Sequence, residues 1–262
     1  NNNTFTYTLN EGTKAENYTI AEPVYGTLTV SKRTVTVSVE DKSVEYNGSE
    51  QFGNTAYTFD NVVSGQTASI EYTPSKGTLV DTYDNGSYDA DSFKVMSGET
   101  DVTGNYTLGT QTAGKLTITD RAEKYAIAVE ASSTTATYDG QNHGAIGFET
   151  DTFTVDGHTY TVSGLTTSNP SSTNATGEGG IANAISGTAV VKDAAGNDVT
   201  AQFTVSTTDG TLTVSKRTAT VSVEDRSVEY DGSEQFGNTV RTFGNVVEGQ
   251  TATIGYTPSK GT

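Results

Sequence analysis

The sequence predicts an all-β protein, a string of small two-layer β-sandwich domains, and three observations carry that expectation. The chain repeats itself at fixed offsets. Its apolar residues alternate with polar ones over short segments, and turn residues interrupt them every ~8–12 residues. Composition agrees: hydrophobic residues make up 32% of the 262 positions and Gly adds 28. Thr fills roughly a fifth of the chain and Tyr occurs 14 times, both strand-favouring, while Met occurs once and Trp is absent. Such a chain can fill several thin cores but not one thick one.

The repetition is read first. Gly26–Thr78 and Gly210–Thr262 agree at 44 of 53 positions at an offset of 184. A fainter repeat at offset 88 places Phe5 on Phe93, Asn17-Tyr18-Thr19 on Asn105-Tyr106-Thr107, and Gly26-Thr27-Leu28-Thr29-Val30 on Gly114-Lys115-Leu116-Thr117-Ile118. These offsets divide the chain into residues 1–30, the C-terminal part of a preceding repeat; 31–119, a complete repeat; 120–214, a complete divergent repeat; and 215–262, the N-terminal part of a following repeat. The opening Asn1-Asn2-Asn3 reads as the interior of a longer tandem array.

Each element has a local reason. Thr34–Glu40 alternates strictly and predicts a half-buried strand. Phe153-Thr154-Val155 and Thr159-Tyr160-Thr161-Val162 flank Asp156-Gly157, the pair that a type I′ hairpin requires. Turn pairs recur at Asn47-Gly48, Asn85-Gly86, Gly104-Asn105 and Gly196-Asn197, and no segment carries a helical period. Short strands at this spacing, in units of about 90 residues, predict immunoglobulin-like sandwiches. Between Leu28-Thr29-Val30 and Val35 lies only Ser31-Lys32-Arg33-Thr34, and Ser215-Lys216-Arg217-Thr218 follows Leu212-Thr213-Val214 in the same way. Connections this short, without Gly or Pro, predict a semi-rigid rod in which each sandwich spans ~40 Å.

The repeats share a motif: Tyr46-Asn47-Gly48, Tyr138-Asp139-Gly140 and Tyr230-Asp231-Gly232, each shortly after an opening strand. Asn105-Tyr106-Thr107 followed by a Gly-x-Leu-Thr-[Ile/Val] strand closes the first complete repeat. The second departs at that step, with Ala201-Gln202-Phe203-Thr204. The combination resembles the MBG/YDG type of bacterial immunoglobulin-like tandem repeat found in large surface proteins and adhesins. The resemblance spans essentially the whole chain and implies an extracellular, cell-surface location without specifying a ligand. The motif residues themselves read as structural: Gly takes the left-handed turn position, Asp or Asn caps the turn, and Tyr buries its ring with the hydroxyl at the rim.

Candidate chemistry is sparse. Fifteen basic residues against 32 acidic ones give −17, a charge that repels nucleic acid and anionic membranes. No apolar run reaches the ~18 residues of a helical membrane span. Without Cys there is no disulfide, thiol nucleophile or cysteine zinc site. His143 and His158, the only two histidines, read as exposed loop residues belonging to no triad. The sequence points to no catalytic residue and no cofactor. Two acidic loops, Asp81, Asp84, Asp89 and Asp91, and Asp193, Asn197 and Asp198, could offer oxygen ligands to calcium. Neither follows EF-hand spacing, so both read first as solvated turns. A glycosidase pair among these acids would also need a cleft. Lys32, Lys115 and Lys216, near strand ends, raise a Lys–Asn cross-link for which the sequence offers no clear context.

The leading expectation is a non-catalytic stalk of a bacterial cell-surface adhesin or filament, whose partners are neighbouring repeats. An alternative has the repeats bind a host glycan or matrix protein, with Tyr57 and Tyr83 as exposed candidates. A second alternative is a filament subunit in which 215–262 of one chain is completed by 1–30 of the next, a heterologous contact that propagates.

Overall fold

A computed structural model of the chain describes residues 4–262, so the reading placed on Asn1-Asn2-Asn3 lies outside the described residues. The fold is all-β, with 46% of residues in strands and 3% helical, the latter in 3₁₀ turns at Ala15–Asn17, Thr103–Asn105 and Thr200–Gln202. The chain divides into two units: Asn1–Val44 with Glu50–Thr119, and Glu45–Ser49 with Asp120–Thr262.

In the first unit, strand Arg33–Val39 turns Val35, Val37 and Val39 inward and leaves Thr34, Ser38 and their neighbours wholly or partly exposed, as the alternation requires. It pairs in parallel with Tyr106–Thr112 and antiparallel with Tyr57–Asp60. Lys42–Glu45 lies beside Leu116–Thr119, which pairs antiparallel with Asp81–Tyr83. Thr67–Thr73 pairs antiparallel with Ser87–Ser97. Val35, Val95 and Tyr106 form a core cluster against Phe59, Val62, Ala68, Phe93 and Val102. Each fully buried aliphatic side chain of this kind contributes about 1.5–3 kcal/mol.

Residues 4–32 form no strand, which corrects the expected closing strand at Leu28-Thr29-Val30. Leu28 and Val30 are 80% and 86% exposed, whereas their counterparts Leu116 and Ile118 are 0% and 1% exposed. The cause is the absence of a ladder. Leu116–Thr119 is held between Lys42–Glu45 and Asp81–Tyr83, and nothing in residues 4–32 corresponds to either strand.

In the second unit, Tyr125–Glu130 runs parallel to Phe203–Thr208, the arrangement of Arg33–Val39 with Tyr106–Thr112. Phe203 therefore takes the buried place of Tyr106 despite the altered closing step. Gln202 beside it is buried, donating to Asp120 at 2.5 Å and accepting from the Arg121 N–H at 3.0 Å. Gly210–Ser215 is flanked by Thr134–Thr137 in parallel and Ile181–Asn183 antiparallel. Thr152–Val155 and His158–Thr167 form the expected hairpin, with Asp156 and Gly157 at φ 48° and 81° as a type I′ turn demands. Residues 216–262 keep only two short antiparallel pairs, Thr220–Val223 with Arg241–Gly244 and Gln235–Phe236 with Lys260–Gly261. None of residues 216–262 is buried.

Candidate functional site

The feature that recurs through the chain is the Tyr-[Asp/Asn]-Gly loop, and its backbone is the same in every copy. The side-chain oxygen of Asn47, Asp139 or Asp231 accepts the N–H two residues on, from Ser49, Gln141 or Ser233, at 2.9 Å each time. Gly48, Gly140 and Gly232 then take φ values of 81°, 81° and 84°, a region that L side chains enter at a cost of about 1–2 kcal/mol. These local bonds hold the Asp139 and Asp231 carboxyls below the ordinary aspartate range. At Asp139 the Gln141 N–H is the largest cause, followed by His143; at Asp231 it is the Ser233 hydroxyl, followed by the Ser233 N–H.

The rings differ, which corrects the expectation that the motif itself buries its tyrosine. Tyr46 is 1% exposed and Tyr230 is 84% exposed, with Tyr138 half-buried between them. The Glu45–Ser49 loop belongs by its contacts to the second unit. There the Tyr46 hydroxyl faces the Tyr160 hydroxyl at 3.5 Å, and Tyr160 stacks edge-on against Phe203 at 4.7 Å. Arg121 donates to the Tyr46 carbonyl at 3.1 Å and lies 4.0 Å from the centre of the Tyr125 ring. Burial, reinforced by the Tyr160 hydroxyl, pushes the Tyr46 phenol far up, so it stays neutral. A Cβ on Gly48 would lie 2.5 Å from the Tyr160 hydroxyl oxygen, so glycine is required here by close approach as well as by φ.

Tyr138 packs against Ala145, Leu212 and Val214, and its hydroxyl accepts from Gln250 Nε2. A Cβ on Gly140 would lie 3.0 Å from Val247 Cγ1. Gly232 has nothing within 4 Å. The seats correspond: Val247 and Gln250 lie in the turn after strand Arg241–Gly244, and His158 and Tyr160 lie in the hairpin after strand Thr152–Val155.

Both histidines bond a motif loop, His143 its own and His158 the one it seats, which corrects their reading as exposed loop residues. His143 lies in strand His143–Gly144, half-buried, with Nε2 2.9 Å from Asp139 Oδ1. His158 opens strand His158–Thr167, half-buried, with Nε2 3.0 Å from Ser49 Oγ. No carboxylate pairs with His158 among the described residues, so Ser49 and His158 lack the orienting acid of a hydrolytic triad.

The acidic loops are occupied with their own turns. Asp81 accepts the Thr82 N–H at 2.7 Å, Asp84 pairs with Lys115 at 3.3 Å, and Asp89 accepts the Asp91 N–H at 3.1 Å. Asp193 accepts N–H groups of Ala195 and Asn197, and Asp198 accepts both donors of Thr200, whose hydroxyl is the main cause of its lowered pKa. Among the described residues no three His, Cys, Asp or Glu side chains converge as a metal site. Tyr57 and Tyr83 are half-buried rather than exposed: Tyr57 meets Phe59 edge-on at 5.6 Å, and Tyr83 donates to the Leu79 carbonyl at 3.0 Å. The sequence could not have singled out His158, Tyr160, Val247 or Gln250 as seat residues; the one available signal was that they fall at corresponding turns of successive repeats.

No protein-family model matches the chain, and neither a curated protein nor a solved structure matches it.

Proposed function

We propose that the chain is a segment of a non-catalytic stalk of a bacterial cell-surface protein, built from MBG/YDG-like immunoglobulin-type sandwiches. The observation that carries this reading is the seating of the Tyr138–Gly140 loop on the turn of residues 245–250 in the next repeat. Together with the four-residue connection Ser215-Lys216-Arg217-Thr218, this contact restrains consecutive repeats with few residues outside them. A net charge of −17 supports the same role by keeping neighbouring chains apart on a crowded surface. The Tyr46 and Tyr138 loops serve as joints, and their hydroxyl and imidazole groups are engaged in packing rather than presented to a substrate. The glycan- or matrix-binding alternative loses its two tyrosine candidates to packing.

Small-angle scattering tests the stalk. A compact chain of 262 residues has a radius of gyration of about 18 Å, and a rod must clearly exceed it. A value near 18 Å, or a strong hit on a glycan array or in a mucin pulldown, counts against the stalk.

A second reading, head-to-tail completion of 215–262 by residues 1–30, has its own support. A recess of about 380 Å³ opens between Val228, Tyr230, Phe236, Gly237 and Ser259. Their first-repeat counterparts include Val44 and Ser75, which bond Thr119 and Gly114 at the two ends of strand Leu116–Thr119. Gly26-Thr27-Leu28-Thr29-Val30 is the related sequence that could fill the recess. Light scattering across a dilution series tests this reading, and a monomer at every concentration removes it.

A further inference from the structure

The sequence holds two Asn-Gly pairs, Asn47-Gly48 and Asn85-Gly86. Such pairs are chemically labile, because the backbone nitrogen of a residue without a Cβ meets little obstruction when it attacks the preceding side-chain amide. In an unfolded chain the two are alike. The structure makes them different.

Asn85 is pinned. Its Oδ1 accepts the Lys76 N–H at 2.8 Å and its Nδ2 donates to the Lys76 carbonyl at 3.0 Å, so the amide is held against Lys76 rather than over the Gly86 peptide. The nitrogen that would attack is engaged as well: the Gly86 N–H donates at 3.0 Å to Oγ of Ser75, a buried residue.

Asn47 is held the other way. It is exposed, and its Oδ1 accepts the N–H of Ser49, two residues on, at 2.9 Å. That bond closes a ring of chain atoms that contains the Gly48 nitrogen, folding the amide carbon back over the peptide it can react with. The same N–H stands where negative charge grows on Oδ1 during attack. Neither Asn47 Nδ2 nor the Gly48 N–H bonds any described residue, so the leaving group and the attacking nitrogen are both free.

The other repeats add a second observation. The positions matching Asn47 are Asp139 and Asp231, which accept the corresponding N–H at the same 2.9 Å, and Gly140 and Gly232 keep the φ of Gly48 within a few degrees. The loop therefore takes a carboxylate in place of the amide with its backbone unchanged.

We propose that Asn47 is a modification site, deamidating spontaneously to place an acidic residue on the first-repeat loop while Asn85 stays an amide. The Gly48 nitrogen loses its proton to solvent and bonds Asn47 Cγ; the Cγ–Nδ2 bond breaks, and Nδ2 leaves as ammonia from the succinimide so formed. Water then opens the ring. Attack at Cγ restores the ordinary backbone with an aspartate, and attack at the main-chain carbonyl carbon gives isoaspartate, which lengthens the backbone before Gly48. A Cβ on Gly48 would already lie 2.5 Å from the Tyr160 hydroxyl oxygen, so the seated loop favours the aspartate form. Asp139 and Asp231 do not follow the same route: their local hydrogen bonds keep them ionised, and a carboxylate is a poor electrophile.

The test ages the full chain in mildly alkaline, heavy-oxygen water, either folded or in guanidinium chloride, and reads digested aliquots by mass spectrometry. In guanidinium chloride Asn47 and Asn85 should convert at similar rates. In the folded chain Asn47 should convert at least about tenfold faster than Asn85, where three hydrogen bonds must open first. Its ratio of aspartate to isoaspartate should also rise above that of the unfolded sample. Asn47→Gln, which must close a larger ring, should remove the fast signal and leave Asn85 as it was. Equal rates in the folded chain, or an Asn85 that converts first, would overturn the proposal. So would a folded Asn47 that stays an amide while the unfolded sample converts, since the loop would then protect it.

Discussion

Gly26–Thr78 and Gly210–Thr262 are almost the same sequence in two different surroundings. What they share is local. Thr36–Val39 pairs with Tyr57–Asp60 in the register that Thr220–Val223 keeps with Arg241–Gly244, and Gln51–Phe52 pairs with Lys76–Gly77 as Gln235–Phe236 does with Lys260–Gly261. Lys42 and Arg226 each donate to a phenylalanine carbonyl, that of Phe52 or Phe236. What they do not share is burial. Val37 is 1% exposed and Val221 45%; Ile70 is 4% exposed and Ile254 46%. Strand Thr67–Thr73 pairs with Ser87–Ser97, whereas the matching residues 251–257 form no strand. The difference teaches that turns and adjacent-strand registers are carried by a segment of this length, whereas a core is carried only by the second layer.

The sharpest test of that comparison exchanges the same residue in both copies. Tyr46→Ala removes a buried ring and should cost about 3–5 kcal/mol, as for other buried aromatics, while Tyr230→Ala should stay within about 0.5 kcal/mol. Urea unfolding of the full chain measures both, and equal costs would break the comparison. Ile70→Ala against Ile254→Ala should show a smaller gap, about 2–4 kcal/mol against under about 0.5, by the same measurement.

Asn61→Ala and Asn245→Ala should instead behave alike. Each removes an arginine contact and a bond to the carbonyl of Thr34 or Thr218, and each places Ala at positive φ. Each should cost about 1–2 kcal/mol locally, read as lost hydrogen-exchange protection in the adjoining strand pair. Unequal losses would mean that even these turns depend on the second layer.

The smallest expected effect is ionic. Asp231 titrates below the ordinary aspartate value, while Asn47 in the other copy cannot titrate. A depressed folded-state pKa adds stability that is complete above the unfolded value of about 3.9 and is lost as pH falls through the folded one. The bonds to Ser233 should therefore loosen only below about pH 4, and Asn47→Asp should bring the same acid sensitivity to the first loop. Carboxyl NMR titration reads both, and an Asp231 midpoint at the ordinary value would refute the sign.

Much of this was legible in the residues themselves. The hairpin at Asp156-Gly157 was, because a positive φ at two adjacent positions selects few residue pairs. The Arg33–Val39 strand was, because alternation reports a face. The parallel pairing of Arg33–Val39 with Tyr106–Thr112 was not, because strands that far apart leave no local signature in either. His158 was misread for the same reason: its partner, Ser49, lies 109 positions away. Of the candidate site, the loops themselves could be found by repetition, but the surfaces that seat them could not.

The amino-acid order alone determined the repeats, the acidic charge, and the turns whose hydrogen bonds close within a few residues, and these came out alike wherever their sequence recurs. Only the tertiary structure decided which copies are dry, because removing a side chain from water takes atoms from a second layer that is distant along the chain. Tyr46 and Tyr230 stand in the same turn, and only Tyr46 has that layer over it.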